Sequence, residues 1–273
     1  MNKTLILGTA LIDHLIYSPD SLEESLCNKL PNIICGGGSM RNVAYNLGIL
    51  KIPVDFLAVW GNDYLATQLK KELNQLNIKT FGPSIDYPTP IFTFIETSNH
   101  SYAISSIISE FYLNADYQFS YQDYDYIITD CNDEALLNKI ISLNQNIKFI
   151  FVGFLPATQY QNNTFGIVIN RSEFSEKNTD EDLTALKVTG DYWLVITLDT
   201  EGLHYYYRHQ NNSIKNVNKT DKGYPVGCGD ALVAGLVYQL FNHQDFLDAL
   251  HFGHRLAESL FLSPRNTIDS SFL

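Results

Sequence analysis

Positive charge is scarce in this chain. Lys plus Arg total 18 against 30 Asp plus Glu, the formal net charge is −12, and the arginines, Arg41, Arg171, Arg208, Arg255 and Arg265, are scattered. A protein that binds duplex nucleic acid needs a basic face to release counterions, so non-specific nucleic-acid binding is disfavoured and no nucleic-acid partner is expected. Small phosphates remain open, because a helix N-terminus offers N–H donors and partial positive charge without any Lys or Arg. Cysteine is also sparse: Cys27, Cys35, Cys131 and Cys228 form no C-x-x-C pair and no metal-knuckle spacing, which reads as reduced thiols. No run approaches the ~18 consecutive apolar residues of a membrane span. Asp13 and His14 interrupt the apolar start before a signal-peptide core forms. The expectation is a cytoplasmic protein with no membrane partner.

What is abundant is core material. Apolar residues make up 45% of 273 residues, with 17 Tyr and 16 Phe, and at roughly 150 residues per domain one large α/β domain or two small ones fit. Short apolar runs alternate with helical patterns along the chain, as in parallel β-α-β construction. Strands are predicted at 5–8, 54–60, 124–129, 149–152, 165–169, 193–198 and 203–207. Helices are predicted at 42–50, 63–76, 134–143, 230–241 and 246–262. One stretch breaks the rhythm: Ile91 to Ile95 and Ser101 to Ile108 flank the turn Thr97-Ser98-Asn99-His100, which reads as an antiparallel hairpin and a small β flap or lid.

Two constellations carry chemistry. Gly36-Gly37-Gly38 runs directly into a helix beginning Ser39-Met40-Arg41-Asn42; glycines there admit a ligand close to the backbone, and the helix start presents free N–H groups, although a plain tight turn uses the same residues. Further on, Gly227-Cys228-Gly229-Asp230 opens a second helix. Its successive N–H groups can form an anion hole for a transferring phosphoryl group, and Asp230 can hold and deprotonate an attacking hydroxyl; the plainer reading of Asp230 is a helix cap. A Walker loop, a dinucleotide fingerprint, G-x-S-x-G and H-E-x-x-H are all missing. His251 and His254 accordingly read as surface or core residues.

Together these motifs resemble the ribokinase-like (PfkB-type) carbohydrate and nucleoside kinase family nearly end to end. Gly37-Gly38 followed by Asn42, Ala44 and Leu47-Gly48 is similar to the amino-terminal signature; Gly227-Cys228-Gly229-Asp230 through Ala234-Gly235 is similar to the carboxy-terminal G-x-G-D-x-x-x-A-G. Asp13 resembles the aspartate that grips sugar hydroxyls, Gly61-Asn62-Asp63 a G-x-D element, and Asn170-Arg171-Ser172-Glu173 the N-x-x-E element of magnesium and phosphate-bound water. The resemblance implies a three-layer α/β/α sandwich on a mostly parallel sheet, as one kinase domain over 1–273 with a small β lid from about 9–35 and 88–108. It implies ATP and Mg²⁺ with K⁺ as an aid, Asp230 as base, and Gly227, Cys228 and Gly229 as the anion hole. Asp13, Gly37, Gly38, Arg41 and Asn42 then face the acceptor. Asn170, Glu173, Thr197 and Gly202 lie toward the nucleotide, Glu173 acting on the metal through water. A homodimer through the lid is a further implication, with a monomer of protected lid edge as its alternative.

Subgroup signals divide. Arg41-Asn42-Val43-Ala44 with Asn46-Leu47, and the ending from Leu260 to Ile268, resemble pseudouridine kinases; Pro225-Val226-Gly227 is closer to phosphosugar kinases. The lack of basic residues favours a nucleoside, pseudouridine first, over a phosphosugar; Arg41 is alternatively a surface residue of its helix. Departures are specific. Leu11 stands where many members have Asn, Tyr224-Pro225-Val226 replaces a threonine-rich lead-in, and Asp199 in Thr197-Leu198-Asp199-Thr200-Glu201-Gly202 sets a carboxylate beside the nucleotide phosphates. Such a carboxylate repels an anion unless it points away or meets a cation. The competing reading is therefore a catalytically weak or inactive sugar- or nucleoside-binding protein on the same scaffold. A nicotinamide-dependent oxidoreductase is disfavoured by the missing fingerprint.

Overall fold

Strand β1 (Thr4–Leu7) already shows how the layers form: Ile6 points into one apolar core and Leu5 and Leu7 into another, all essentially inaccessible to water. A strand buried on both faces must be apolar throughout. The same alternation recurs in every central strand, and each fully buried Leu, Ile or Phe contributes roughly 1.5–3 kcal/mol. The computed structural model describes residues 3–18, 21, 30–177, 192–208, 210–216 and 223–270; Cys27 and part of the expected 9–35 lid segment lie outside them.

After β1 the chain forms β2 (Leu11–Tyr17), β3 (Asn32–Gly37), α1 (Ser39–Ile49), β4 (Val54–Leu57), α2 (Tyr64–Gln75), β5 (Lys79–Phe81), β6 (Ile91–Glu96) and β7 (Ser101–Ser105). Then follow β8 (Tyr126–Thr129), α3 (Glu134–Leu143), β9 (Lys148–Val152), β10 (Thr164–Asn170), α4 (Arg171–Lys177), β11 (Trp193–Thr197), β12 (Leu203–Tyr207) and β13 (Gln210–Ile214). The helices α5 (Cys228–Phe241) and α6 (Phe246–Phe261) complete the order. Aspartates start three helices where the apolar periodicity begins: Asp63 accepts from Ala66 N, Asp133 from Leu136 N, and Asp245 from Leu247 N and Asp248 N. Each such cap is worth about 1 kcal/mol.

The main sheet has nine strands in the order β13-β12-β11-β10-β9-β8-β1-β4-β5, parallel from β5 to β11 and antiparallel at the β12–β13 edge. Helices α1, α2, α5 and α6 cover one face through Leu47, Leu69, Leu232 and Leu250. Helix α3 covers the other through Leu136 and Ile140. This is the three-layer α/β/α arrangement. A separate four-stranded sheet, β3-β2-β6-β7, carries the expected hairpin as β6–β7, Glu96 pairing with Ser101. Strand β4 ends at Leu57, short of the predicted Trp60, which makes only an isolated bridge to Ser84.

One feature of the order fixes where a ligand can enter. From β1 the chain moves outward to β4 and β5, then returns to β8 on β1's other side and moves outward the opposite way. The connections leave β1 and β8 in opposite directions and open a crevice at their carboxyl ends, where open α/β sheets bind ligands.

Candidate active site

The amino-terminal glycine loop delivers two side chains to one carboxylate. Gly38 adopts φ 94°, a left-handed backbone that a Cβ would strain, and a side chain at Gly37 would strike the Asp13 carboxylate. With the loop so folded, Ser39 and Asn42, one turn apart on α1, both face Asp230 at the head of α5. Ser39 Oγ donates to Asp230 Oδ1 at 2.5 Å and Asn42 Nδ2 to Oδ2 at 3.0 Å.

Behind Asn42 lies Arg41, only 2% exposed, which overturns the surface-residue alternative. Its Nη1 donates to the Gly36 carbonyl (3.1 Å) and to Asn42 Oδ1 (3.3 Å), its Nη2 pairs with Glu72, and its guanidinium lies over the Tyr45 ring. Because a guanidinium can only donate and a carboxylate only accept, this arrangement fixes the Asn42 amide with its nitrogen toward Asp230. Arg41 thus acts on the carboxylate through Asn42.

Asp13 occupies β2, a strand that the sequence pattern did not mark. It is buried beside the loop, and Asn266 Nδ2 donates both to its Oδ2 (2.6 Å) and to the Gly36 carbonyl (2.7 Å). Nearby, the Ile268 N–H donates to Asn46 Oδ1 at 2.9 Å. Asn266 has no counterpart in the sequence reading; a lone Asn in the loop after α6 carries no local signal for a contact 253 residues away. Asn266→Ala leaves a buried carboxylate and a carbonyl without their shared donor, at roughly 1–3 kcal/mol. The expected outcome is a lower melting temperature and an acceptor KM raised at least about tenfold, checked by thermal denaturation and steady-state kinetics.

On the other side of Asp230 a cleft of about 290 Å³ opens at the strand ends; Ser39, Asp130, Asn170, Glu173, Thr197 and Gly229 line it. Asn170 and Glu173 form a reciprocal cap on α4: the Glu173 N–H donates to Asn170 Oδ1 (2.7 Å) and the Asn170 N–H to Glu173 Oε2 (3.2 Å). Gly202 lies outside this lining and turns β11 into β12, where its carbonyl accepts from the Leu198 N–H. Asp199 sits at φ 51° in the turn after β11, and its charge is a lesser influence than the contact with Glu201 in raising the Arg171 guanidinium. Arg171 Nη1 stands 3.0 Å from Glu201 Oε1. Asp63 caps α2 and also accepts from the Thr89 N–H and hydroxyl.

Gly227 precedes α5 at φ 87°, in the left-handed region. The Cys228 N–H turns back to the Pro225 carbonyl (3.2 Å). No acceptor among the described residues takes the N–H of Gly229 or Asp230, and a Cβ at Gly229 would meet open space. The first turn of α5 therefore presents two donors to the cleft, free for an anion.

Three carboxylates frame the site. Burial pushes Asp230 up to about 7, against the hydrogen bonds from Ser39 and Asn42 and with the charges of Asp13 and Asp130 adding to it. Burial likewise pushes Asp130 up to about 7 and Asp13 up to about 6. Asp130 was not singled out from the sequence, although a carboxylate directly after a buried parallel strand stands at the crevice mouth. Burial also pushes the Cys35 and Cys228 thiols up to about 12, so neither is a nucleophile at neutral pH. Asn170, Glu173, Asp130 and Thr197 make an oxygen-only donor set suited to a hard divalent cation. Among the described residues no three His, Cys, Asp or Glu cluster as ready ligands.

Comparison with known proteins agrees with this fold. Ribokinase from Giardia lamblia shares the fold with a TM-score of 0.77 at 14% identity, over 100% of this chain and 98% of that one. Ribokinase from Cryptococcus neoformans var. grubii in complex with ADP gives 0.74 at 13% identity, over 99% and 98%. A sugar kinase from Clostridium perfringens gives 0.68 at 19% identity, over 98% and 92%. No curated protein matches the sequence. No helix among the described residues is long and apolar enough to cross a membrane. The model of the pfkB family carbohydrate kinases matches residues 1–270, and with both glycine loops converging on Asp230, the chain belongs to that family of carbohydrate kinases.

Proposed function

We propose that the protein transfers the γ-phosphoryl group of ATP to a hydroxymethyl group of a nucleoside, pseudouridine first, or of a sugar, with Asp230 as catalytic base. The observation that carries this reading is the Asp230 carboxylate: held by Ser39 and Asn42, raised to about 7, and set beside two unengaged N–H donors.

Asp13, steadied by Asn266, accepts a hydrogen bond from an acceptor hydroxyl, and Gly37 and Gly38 let the acceptor approach the backbone. The reacting hydroxyl passes its proton to Asp230, whose burial keeps it basic enough to take it near neutrality. The N–H groups of Gly229 and Asp230 stabilise charge on the phosphoryl oxygens in flight, and in-line positioning supplies most of the remainder. Asn170 and Glu173 would hold Mg²⁺ through water, with K⁺ assisting, and the metal would neutralise phosphate charge where no Lys or Arg among the described residues lines the cleft. Strands β2, β3, β6 and β7 act as the lid. Exposed Tyr102 and Ile104 on its outer strand β7 favour a homodimer through that edge.

The test is ADP formation with MgATP and K⁺ against pseudouridine, uridine, adenosine, ribose, fructose and phosphosugars. Turnover with one acceptor is expected, and kcat/KM is expected to rise with pH through about 7 as Asp230 ionises. Binding of an acceptor with no turnover across the panel moves the reading to a binding protein.

A further inference from the structure

The inner face of the lid extends well beyond Asp13. Side chains opposite one another across paired strands share a face, so the rows Cys35–Asp13–Phe92, Ile33–Leu15–Phe94 and Tyr17–Glu96 lie on one side of the sheet. At roughly 3.3 Å per residue, Tyr17 stands about 13 Å along β2 from Asp13. This strip is longer than a single sugar ring and apolar in its middle.

Its far end is aromatic and contains unpaired polar atoms. The Tyr17 ring lies edge-on to Tyr224 with centroids 4.6 Å apart, and tilted to Phe94 at 6.1 Å. Tyr224 is three residues ahead of Gly227, so these rings join the lid to the approach of α5. The Tyr17 hydroxyl and Glu96 Oε2 are both buried without a hydrogen-bond partner among the described residues. Orphaned polar atoms are costly, roughly 1–3 kcal/mol each. After burial, the Glu96 charge is the foremost influence on the Tyr17 hydroxyl, followed by Cys228, Cys35 and Asp13. The contact with Tyr224 thus sets Tyr17 against the approach to α5, on the same face of the sheet as Asp13 and at the other end of the strip.

We propose that Tyr17, Phe94 and Tyr224 form the wall of an acceptor subsite for a planar heterocycle, whose ring N–H and carbonyl groups pair with the Glu96 carboxylate and the Tyr17 hydroxyl. Aromatic rings favour edge and offset contacts with a flat π-system. A site built on orphaned polar atoms also rejects a ligand that lacks their partners more strongly than it rejects one differing in apolar bulk. The inference rests on the kinase reading for the location of Asp13 and names what lies beyond it: the base of a nucleoside. Free sugars and phosphosugars leave Glu96 and Tyr17 unpaired.

The test is calorimetric titration of the whole chain, without nucleotide, with pseudouridine, uridine and ribose. The nucleosides are expected to bind at least ten-fold more tightly than ribose. Tyr17→Phe and Glu96→Gln should each remove most of that preference while ribose affinity stays within about two-fold. Tyr17→Leu, which keeps apolar bulk, should remove it entirely. Equal affinity for ribose and both nucleosides overturns the subsite, as does a loss in the variants that is the same for ribose. The kinase reading fails separately: Tyr17-dependent nucleoside binding with no ADP formed leaves the subsite intact and removes the transfer. Phosphorylation of a plain sugar with no preference for nucleosides does the reverse.

Discussion

Asp230→Asn is expected to lower kcat by roughly 10²–10⁴-fold, the usual worth of a positioned general base, while acceptor affinity stays within a few-fold. The asparagine keeps the shape of the site. Its amide oxygen can accept from Asn42 and its nitrogen can donate to the Ser39 hydroxyl, which serves as donor or acceptor. A control for folding follows from the raised pKa of Asp230. Its folded value, about 7, lies above the ordinary aspartate value of 3.8, so the ionised carboxylate costs the folded state stability. That cost is fully present above about pH 7 and vanishes as the pH falls toward 4. The variant should therefore melt at a higher temperature than the parent at pH 8, with the gap closing on acidification. A variant that loses activity and melts lower at pH 8 would show that Asp230 is a structural cap and not the base.

Gly227→Ala is expected to be nearly as damaging for a different reason. A Cβ there would lie 2.0 Å from the Asn266 carbonyl oxygen, a backbone atom that cannot rotate away, and the residue holds φ 87°. Either α5 or the loop carrying Asn266 must move, at roughly 1–3 kcal/mol of overpacking and strain. Movement of α5 takes Asp230 and the two free N–H groups with it. Movement of Asn266 releases Asp13. Activity should fall at least a hundred-fold, since a displacement of about 1 Å at a reacting centre costs that much, and the melting temperature should drop by several degrees. Normal stability with normal turnover would show that the loop yields without cost. Gly229→Ala, whose Cβ meets open space, serves as the contrast and should leave stability nearly unchanged.

The helices and the central sheet were legible because their signals are local. Leu136, Leu137 and Ile140 recur at helical spacing behind the Asp133 cap, and Glu134–Leu143 is the helix observed. The two glycine loops were equally plain. Strand β2 was not, because Leu-Ile-Asp-His-Leu-Ile-Tyr breaks its alternation at His14 and Ile16 and sets Asp13 in the middle of the buried face. That break lies beside the glycine loop, where Asp13 accepts from Asn266 and stands against Gly37. Arg41 shows the limit from the other side. An arginine on a helix beside a glycine loop reads as a ligand contact or a surface charge, and its burial depends on Glu72 from α2 and on Tyr45. Asp130 and Asn266 owe their places to strand order and to the loop after α6, which no short window of sequence contains.

That dependence on distant partners also sets a timetable. Ser39 waits 191 residues for Asp230, and Asp13 waits 253 for Asn266. A chain emerging from the ribosome at about 5–20 residues per second thus carries the strands of its smaller sheet and its first glycine loop for many seconds before these partners arrive. Throughout that interval the exposed edges of β3 and β7 are open to a neighbouring nascent chain, and no partial product has an assembled site. Synthesis halted ahead of Asn266 yields a chain in which the buried Asp13 carboxylate and the Gly36 carbonyl lack the donor they share.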